Sequence, residues 1–566
     1  MCGINGFSWS DVKLVREMND AIRHRGPDDE DIYVDENVSL GHVRLAIIDL
    51  SPKGHQPMRY EKDGREIWIV YNGEVYNFME LRKELEERGY TFNSNTDTEV
   101  ILAAYLEWGF DCIKKFNGMW AFAIYDKGKN LLFLSRDRFG IKPLYYYYDG
   151  QNIIFSSEIK AILEHNIERK PNDSVIFDFL YYNLLDHTED TFFEGIKRLM
   201  PGHSAVFDLT TRKLKTFKYY ELREQVKLKT VITENPAVFR DIFKKAVQRR
   251  LIADVPVGSC LSGGLDSSSI VCMMREINKN LEIKTFSLVF PGFKLDESKY
   301  QESVVRECNV KRYTTTFTVG DILRDIDDLV YSQEEPFFTL SIYGQYRVMK
   351  LAKEHGMKVL LDGQGSDEIL GGYHHFFEYY FAELFRSFRW IKLISEIIAY
   401  YKTYKSWSPI SNMIFYLSPK FVKRLLWKRR FPYLADDFVE RYKDRGSKEP
   451  QWGAKSLKEA LILAETYYSL PHLLRFEDKN SMRWSIESRV PFCDHELVEY
   501  VLSLPAEAKI DKGITKKILR EALRGILPED IRTRTSKIGF ATPDEDILRT
   551  EVGYTFAKSI IESNSF

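Results

Sequence analysis

The amino-acid sequence predicts an α/β fold divided between two domains, and three observations support this prediction. A chain of 566 residues is longer than one hydrophobic core usually extends. In the first half, short β-like segments follow one another across Gly, Asp or Asn turns. In the second half, strand-like and helical segments alternate, as they do where helices cover a parallel sheet.

The first domain is predicted over residues 2–218 as strands with a few amphipathic helices. Apolar residues at helical spacing indicate helices over 12–23, 78–89 and 97–109. The strand-like segments are 66–71, 120–125, 131–135, 144–148, 153–156, 203–209 and 213–218. The charged, non-periodic stretch 219–235 is predicted to be a linker.

The second domain is predicted over residues 236–566. Strand-like segments 284–290, 312–318 and 358–362 alternate with helical segments, predicted over 298–308 and 322–331. Ligands of parallel sheets bind at the carboxyl ends of the strands, so residues that follow a strand are candidate site residues. A segment at about 376–470 interrupts the alternation and is predicted to be a helical insertion.

Composition and charge narrow the classes of function. The net charge of −2 argues against nucleic acid as a partner. The sequence has neither a basic start followed by an apolar run nor eighteen uninterrupted apolar residues, so we expect a cytoplasmic protein. The six cysteines include no CxxC pair and are expected to be reduced thiols, mostly in the core.

Residues 256–269, PVGSCLSGGLDSSS, predict a phosphate-binding loop. An apolar strand leads into a turn with Gly263 and Gly264, and a helical pattern opens at Asp266. Glycines let the backbone approach a bound group, and the amides of a first helical turn attract anions. A carboxylate is expected beside phosphate where a divalent cation joins them, so a nucleotide phosphate pocket with a metal ion is predicted. An ordinary strand-to-helix turn is the alternative.

A second strand runs into a glycine-rich turn at 360–373, the string LLDGQGSDEILGGY. Asp367 lies in this turn, which is also expected at the carboxyl edge of the sheet. Beside Asp266 it would supply the second carboxylate of a magnesium site.

Cys2, which is followed by a glycine, is a candidate nucleophile. Removal of Met1 would leave a thiol and a free α-amine on one residue, and such an amine titrates near 8. The residue would then carry a nucleophile and a proton acceptor together. A cysteine at the second position is commonly without function, so the prediction depends on the motifs that accompany it.

Five strings follow Cys2 in order: RHRGPDD at 23–29, GHVRLAIIDL at 41–50, QPM at 56–58, YNGEVYN at 71–77 and SNTDTEV at 94–100. Together with Cys2 they resemble the glutaminase domain of class II amidotransferases, which are N-terminal nucleophile hydrolases with an αββα sandwich. The resemblance implies that Cys2 attacks the amide of glutamine while Asn72 and Gly73 hold the oxyanion. The glutamine-binding residues that it implies are Arg44, Asn72, Glu74 and Asp97.

The second half resembles another family. SGGLDS is similar to the pyrophosphate loop of ATP pyrophosphatases, and with the strings at 475–494 and 514–523 it resembles the synthetase domain of glutamine-hydrolysing asparagine synthetases. The resemblance implies that ATP activates a carboxylate as an acyl-adenylate, which ammonia from glutamine converts into an amide. The implied ATP-binding residues are Leu261, Ser262, Gly263, Gly264, Asp266, Ser267, Val289, Gly363, Gln364 and Lys516, with Asp266 and Asp367 as magnesium ligands.

Gln364 departs from the family pattern. Well-matched members carry a glutamate there that takes the proton from attacking ammonia, and a glutamine amide cannot do this. Glu487 is then the preferred candidate base. A buried ion pair of Glu487 with Arg489 or Arg483 is an equal alternative.

The insertion is the second departure. Residues 376–431 contain eleven Lys and Arg against three Asp and Glu, interleaved with aromatic residues. A helical subdomain with its own small core is the favoured interpretation. The alternative is a docking surface for an acidic substrate or a membrane, supported by KRLLWKRRF at 423–431.

Three functions stay open. The first is an asparagine synthetase, with glutamine, ATP and aspartate as small-molecule partners. The second keeps the chemistry and acts on another carboxylate, such as a sugar uronate of a surface polysaccharide. The third is an inactive scaffold, and the intact candidate residues argue against it. A homodimer is considered as the oligomeric state.

Overall fold

Within the residues that the computed structural model describes, namely 2–229, 233–419, 422, 434–442, 445, 453–535 and 542–562, the chain folds around three β-sheets. Two are antiparallel and lie in the first domain, and one is parallel and lies in the second. This arrangement confirms the predicted two-domain α/β fold.

Each antiparallel sheet has six strands. The strands are β1 Gly3–Phe7, β2 Asp29–Val34, β3 Ser39–Arg44, β4 Met58–Lys62, β5 Arg65–Val75, β6 Gly118–Asp126, β7 Leu131–Arg136, β8 Tyr145–Tyr148, β9 Ile153–Ser156, β10 Ile196–Arg198, β11 His203–Asp208 and β12 Lys213–Lys218. The first sheet has the order β10-β8-β9-β1-β3-β2, and the second has the order β12-β11-β7-β6-β5-β4.

Helices cover the outer faces of the two sheets. Helix Val12–Ala21 packs on the first sheet, and helices Phe78–Glu86 and Asp97–Trp108 pack on the second. The other helices of this domain are Cys112–Lys115, Ile159–Ile162 and Asp173–Tyr182. Apolar residues of both sheets form the core between them, among them Ile4, Leu40, Val70, Ala121 and Phe155. The layers are those of the αββα sandwich that the resemblance implies.

The parallel sheet organises the second domain. Its strands are β13 Val257–Cys260, β14 Lys284–Leu288, β15 Lys311–Thr315, β16 Val359–Leu361 and β17 Glu487–Arg489, in the order β15-β14-β13-β16-β17. Because neighbouring strands run parallel, their carboxyl ends meet at one edge of the sheet.

Helices flank both faces of this sheet, with separate apolar clusters on each side. The helices of this domain are Pro236–Arg250, Leu265–Ile277, Ser298–Cys308, Val319–Gln333, Ser341–Glu354, Ser366–Leu370, Phe376–Arg386, Trp390–Tyr404, Ser408–Leu417, Asp436–Tyr442, Leu457–Leu463, Leu470–Arg483, His495–Ser503, Lys517–Ala522, Glu529–Arg532, Asp544–Leu548 and Glu551–Ile561.

One predicted segment looks different in the structure, and a second agrees with its prediction where it is described. The stretch predicted as a linker contains helix Leu222–Leu228, whose Leu222 and Val226 are buried in the same apolar cluster as the second domain. The insertion is helical where it is described, and the basic string at 423–431 lies outside the described residues.

Candidate active sites

Cys2 immediately precedes β1 and is almost entirely buried. Its backbone N–H donates to Oδ1 of Asn72 at 3.2 Å, which ties the start of the first sheet to β5 of the second. Burial raises the pKa of the Cys2 thiol, while the positive charge at the amino terminus of the chain acts in the opposite direction. The reactivity of this thiol therefore depends on the amine beside it.

Asn72 and Gly73 lie side by side in β5. The Nδ2 atom of Asn72 is buried and has no hydrogen-bond partner among the described residues. A buried donor without a partner costs about 1–3 kcal/mol, so this N–H is available to an incoming oxygen. At Gly73 a Cβ atom would lie 2.2 Å from the carbonyl oxygen of Met119, so the close approach of β5 and β6 requires glycine.

Arg44 ends β3, and the loop that follows fixes its guanidinium. The two Nη atoms donate to the carbonyl oxygens of Asp49 at 2.5 Å and Ser51 at 3.1 Å. A Cβ atom at Gly54 would lie 2.0 Å from Nη2 of Arg44, so the glycine allows the loop to wrap closely around this side chain. The positive charge of Arg44 lowers the pKa of the Cys2 thiol, so the two side chains lie near one another.

Asp97 and Glu74 bring two buried acidic groups to this pocket. Oδ2 of Asp97 accepts hydrogen bonds from the Tyr71 hydroxyl and the Val75 N–H, both at 2.8 Å. Burial raises the pKa of Asp97 to about 6. Glu74 lies 3.3 Å from the guanidinium of Arg489, and its pKa is raised by burial and by neighbouring carboxylates. The structure thus brings all the predicted glutaminase residues of the first domain together.

A second cavity, of about 310 Å³, lies at the carboxyl edge of the parallel sheet. It is in the size range of small-molecule sites. The predicted residues that line it are Leu261, Ser262, Gly264, Asp266, Ser267, Gly363, Gln364, Asp367 and Lys516. Gly263, in the left-handed region at φ +86°, shapes the turn behind the cavity. Val289, whose N–H bonds to the Thr315 carbonyl, does not line the cavity, whereas Leu288 does.

Lys516 joins the two predicted metal ligands. Its Nζ lies 2.5 and 2.6 Å from the carboxylate oxygens of Asp266 and 2.6 Å from Oδ1 of Asp367. The two carboxylates therefore converge on one point that already holds a positive charge. Oxygen ligands of this kind suit Mg²⁺, which commonly takes one or two carboxylates together with substrate phosphates. Within the described ranges, no group of three or more His, Cys, Asp or Glu has metal-binding geometry.

Glu487, the preferred candidate base, does not line the cavity, and this expectation is corrected. It begins β17 in register with Val359, at the opposite end of the sheet from the cavity. Its carboxylate binds Nε of Arg489 at 2.5 Å, and its charge influences Cys2, Glu74 and Asp97 of the first domain. The ion pair with Arg489, which the sequence left as an equal alternative, is the arrangement present.

Sequence reasoning missed several residues of the second cavity. Asp362 follows β16 directly, so its position at the end of a predicted strand was the available signal. The others were given no role, although several of them lie in predicted strand 284–290 or in the strings at 475–494 and 514–523. They are Phe286, Leu288, Gln345, Arg520 and Arg534, which line the cavity, and Glu477, which contacts Gln345 and Gln364.

Comparison with protein-family models matches residues 238–565 to asparagine synthase and residues 1–220 to a glutamine amidotransferase domain. The chain is 42% identical over 398 residues to a putative glutamine-hydrolysing asparagine synthetase of Methanocaldococcus jannaschii, covering 66% of this chain and 76% of that relative.

Two further relatives align over most of their length. Asparagine synthetase 3 of Bacillus subtilis is 34% identical, with 94% of this chain and 86% of the relative covered. A protein of Gibberella zeae named amidase chry2 is 28% identical, with 95% and 88% covered. The chain therefore belongs to the glutamine-hydrolysing asparagine synthetase family, whose members are glutamine-dependent carbon–nitrogen ligases.

Proposed function

We propose that this chain is an asparagine synthetase, which takes ammonia from glutamine and uses ATP to convert aspartate into asparagine, releasing AMP and pyrophosphate. One observation carries the proposal: a single chain holds a buried cysteine beside Asn72 and a nucleotide-sized cavity in which Lys516 joins Asp266 and Asp367. The names of two relatives support aspartate as the acceptor.

At the first site, the Cys2 thiol attacks the side-chain amide of glutamine. The α-amine that removal of Met1 exposes takes the thiol proton and passes it to the leaving nitrogen, so the C–N bond breaks and ammonia departs. Water then hydrolyses the thioester to glutamate and the free thiol. Nδ2 of Asn72 and the Gly73 N–H stabilise the oxyanion. Arg44 binds the α-carboxylate of glutamine, and Asp97 and Glu74 attract its α-ammonium.

At the second site, the Ser262–Ser267 turn and the amides of helix Leu265–Ile277 hold the phosphates of ATP. Asp266 and Asp367 fit Mg²⁺, because their oxygens already converge on one cationic group. Mg²⁺ held by these two carboxylates would neutralise the charge of the phosphates. Lys516, once released from the two carboxylates, can bind the phosphates directly. The acceptor carboxylate attacks the α-phosphate and forms the acyl-adenylate.

A second acceptor class deserves a separate test. Gln364 departs from the pattern of well-matched asparagine synthetases, and one relative is named an amidase. Both observations favour another carboxylate, for example a sugar uronate, with the same activation chemistry.

Purified protein supplied with glutamine, ATP and Mg²⁺ tests the proposal, with aspartate or a panel of uronates as acceptor. Equal amounts of pyrophosphate and asparagine are expected when aspartate is present. If pyrophosphate is released only in the presence of a uronate, the acceptor is that uronate and not aspartate. Glutaminase activity without pyrophosphate under any condition would refute the ligase assignment.

We also propose that the insertion contacts an anionic membrane surface. Ile391, Ile394 and Ile398 lie on one exposed face of helix Trp390–Tyr404, and Ile391 is 88% exposed. Aromatic residues flank this row, with Tyr401 and Trp407 stacked at 4.4 Å. An apolar row between aromatic residues is typical of helices that lie in a membrane interface.

The charges near this face support the same partner. Glu378 and Glu396 are buried, whereas Lys402 and Lys405 are not, so the exposed charge of the helix is basic. In the described parts of the chain, no helix is long and apolar enough to cross a bilayer. We therefore propose contact with the membrane surface alone.

Co-sedimentation with vesicles of phosphatidylcholine and phosphatidylserine at low salt tests this contact. The wild-type protein should bind and Ile391→Asp/Ile394→Asp should not, while Met79→Asp, at another exposed apolar residue, should leave binding unchanged. A concentration-dependent dimer that the double variant abolishes, without vesicle binding, would instead assign this face to a homodimer.

A further inference from the structure

Asp362 is a cavity carboxylate that differs from its neighbours. Asp266 and Asp367 both bind Lys516, whereas no basic side chain of the described ranges forms an ion pair with Asp362. Its Oδ1 accepts the Gly363 N–H at 2.5 Å, which holds the carboxylate at the end of β16. The cavity therefore contains a carboxylate two residues before Gln364, and no described cation neutralises it.

Glu477 stands directly behind this carboxylate. Its oxygens accept hydrogen bonds from Nε2 of Gln364 at 3.5 Å, from Nε2 of Gln345 and from the Ser488 hydroxyl. The carboxyl groups of Glu477 and Asp362 also lie close enough for each to influence the pKa of the other. Two carboxyl groups in such contact share one proton, since both cannot easily carry a negative charge in a buried place.

The surroundings of the pair set its proton affinity. Burial raises the pKa of Glu477 and of Asp362, and the charge of Asp362 raises the pKa of Glu477 further. The other titratable groups that influence the pKa of Asp362 are the Cys260 thiol, which lowers it, and Asp266, whose charge raises it. The pair is thus a stronger proton acceptor than an exposed carboxylate.

Gln364 is oriented by the same network. Because its Nε2 faces Glu477, its amide oxygen is directed away from that residue. An amide oxygen can accept a hydrogen bond but does not take up a proton at neutral pH. Gln364 can therefore orient ammonia, while the proton must go to another group.

We propose that Asp362 takes the proton that ammonia loses at the second site, and that Glu477 positions Asp362. The inference rests on the proposed ligase function. The nitrogen of ammonia forms a bond to the carbonyl carbon of the acyl-adenylate, and the bond from that carbon to the AMP oxygen breaks. Its electron pair leaves with AMP. The surplus proton passes from nitrogen to the Asp362 carboxylate, which later releases it to solvent.

The first test uses ammonium chloride in place of glutamine, with ATP, Mg²⁺ and aspartate. Asp362→Asn should reduce amide formation by about 10²- to 10⁴-fold, the usual contribution of a general base. Aspartate-dependent exchange of labelled pyrophosphate into ATP needs no ammonia, so it should be retained. Asp362→Asn/Gln364→Glu, which returns a carboxylate to the cavity wall, should regain much of the lost activity.

The Glu477→Gln variant tests the positioning role of Glu477 through the pH profile of amide formation, which a purely structural role of this residue would not shift. The carboxyl group of Glu477 lowers the pKa of Asp362. An amide is a weaker donor than a carboxylic acid, so the acidic limb of the pH profile for amide formation should move to higher pH.

The results of these experiments distinguish a failure of the Asp362 proposal from a failure of the proposed ligase function. Full amide formation in Asp362→Asn overturns the inference, as does joint loss of exchange and amide formation. Absence of exchange in the wild-type protein with aspartate and with uronates refutes the proposed function instead. In that case infrared spectroscopy still tests the pair, because the signal of one buried protonated carboxyl group at neutral pH should disappear in Glu477→Gln and shift in frequency in Asp362→Asn, where its partner has changed.

Discussion

The two sites of this chain hold their charged groups in different ways. Around Cys2, Arg44 is held by backbone carbonyl oxygens, and Asp97 is held by a hydroxyl and a backbone N–H. In the second cavity, Lys516 and the carboxylates of Asp266 and Asp367 hold one another.

This difference indicates whether the charged groups of each site must change partners when the substrate binds. At the first site, Arg44 and Asp97 can receive the opposite charges of glutamine without giving up an ion pair, because neutral groups fix them. Glu74 is the exception, since it pairs with Arg489. The second site must exchange its internal ion pairs for contacts with Mg²⁺ and phosphate. We therefore expect the first site to be preorganised and the second to rearrange when ATP binds.

The largest expected effect comes from removing the nucleophile of the preorganised site. Cys2→Ala should abolish glutamine hydrolysis and glutamine-dependent amide formation, by more than about 10³-fold, because no other group can form the thioester. Amide formation from ammonium chloride should persist, since the second site is untouched. Cys112→Ala, at another buried cysteine of the same domain, is the matched control. Unchanged glutamine hydrolysis in Cys2→Ala would contradict the assignment of the first site.

Lys516→Met tests the site that is expected to rearrange. If Lys516 moves from the carboxylates to the phosphates, its loss should reduce pyrophosphate formation by about 10²- to 10³-fold. Glutamine hydrolysis should change little, and the requirement for Mg²⁺ should remain. Lys517→Met, which removes the neighbouring lysine that pairs with Glu234, is the control. An equal loss in both variants would point to a disturbed helix rather than to contact with phosphate.

A third prediction concerns the contact that holds the two sites in place. Arg25 of the first domain is fully buried and binds Glu158 at 2.7 Å and Asp478 of the second domain at 2.9 Å. Arg25→Met leaves two buried carboxylates without this partner and should cost about 3–5 kcal/mol of folding free energy.

Denaturant unfolding followed by tryptophan fluorescence measures this cost. The matched control is Arg23→Met, which removes an exposed arginine paired with Asp20 and Glu30. Such surface pairs contribute about 0–1 kcal/mol. If both variants lose the same small amount, Arg25 does not join the domains energetically.

The same comparison shows how much the sequence could predict. The glutaminase residues lie within ordered strings near the start of the chain, and the structure brings them into one pocket around Cys2. The cavity at the parallel sheet also contains residues from distant parts of the chain, such as Gln345 in helix Ser341–Glu354 and Arg534 after helix Glu529–Arg532, which no local pattern marks. Asp362 was visible as a strand-end residue, but its contact with Glu477 depends on a helix more than one hundred residues away.

Glu487 shows most clearly what the sequence alone could not predict. A motif places a residue in a string but does not say at which end of a three-residue strand its side chain lies. In β17, Glu487 is at the end that faces the first domain, and its partner is Arg489. The register of β17 with β16 places Glu487 away from the cavity, and no local sequence feature specifies this register.

The smallest expected effect is a shift in pH dependence at the first site. Binding of the glutamine α-ammonium needs ionised Asp97, whose pKa is raised to about 6 by burial. The kcat/KM for glutamine should therefore fall as the pH drops below about 6. The hydroxyl of Tyr71 stabilises the ionised form, so Tyr71→Phe should raise the pKa of Asp97 and move this fall to higher pH by about one unit.

Folding stability should depend on the same proton in the opposite sense. A carboxyl group with a raised pKa binds its proton more tightly in the folded state, so the contribution of Asp97 to the free energy of unfolding falls as the pH rises from about 4 to about 6. Tyr105→Phe, which removes a hydroxyl bound to Asp126 instead, should leave the pH profile of glutamine hydrolysis unchanged. A profile that Tyr71→Phe does not move would mean that Asp97 does not bind the ammonium, and the first site would be less preorganised than its contacts indicate.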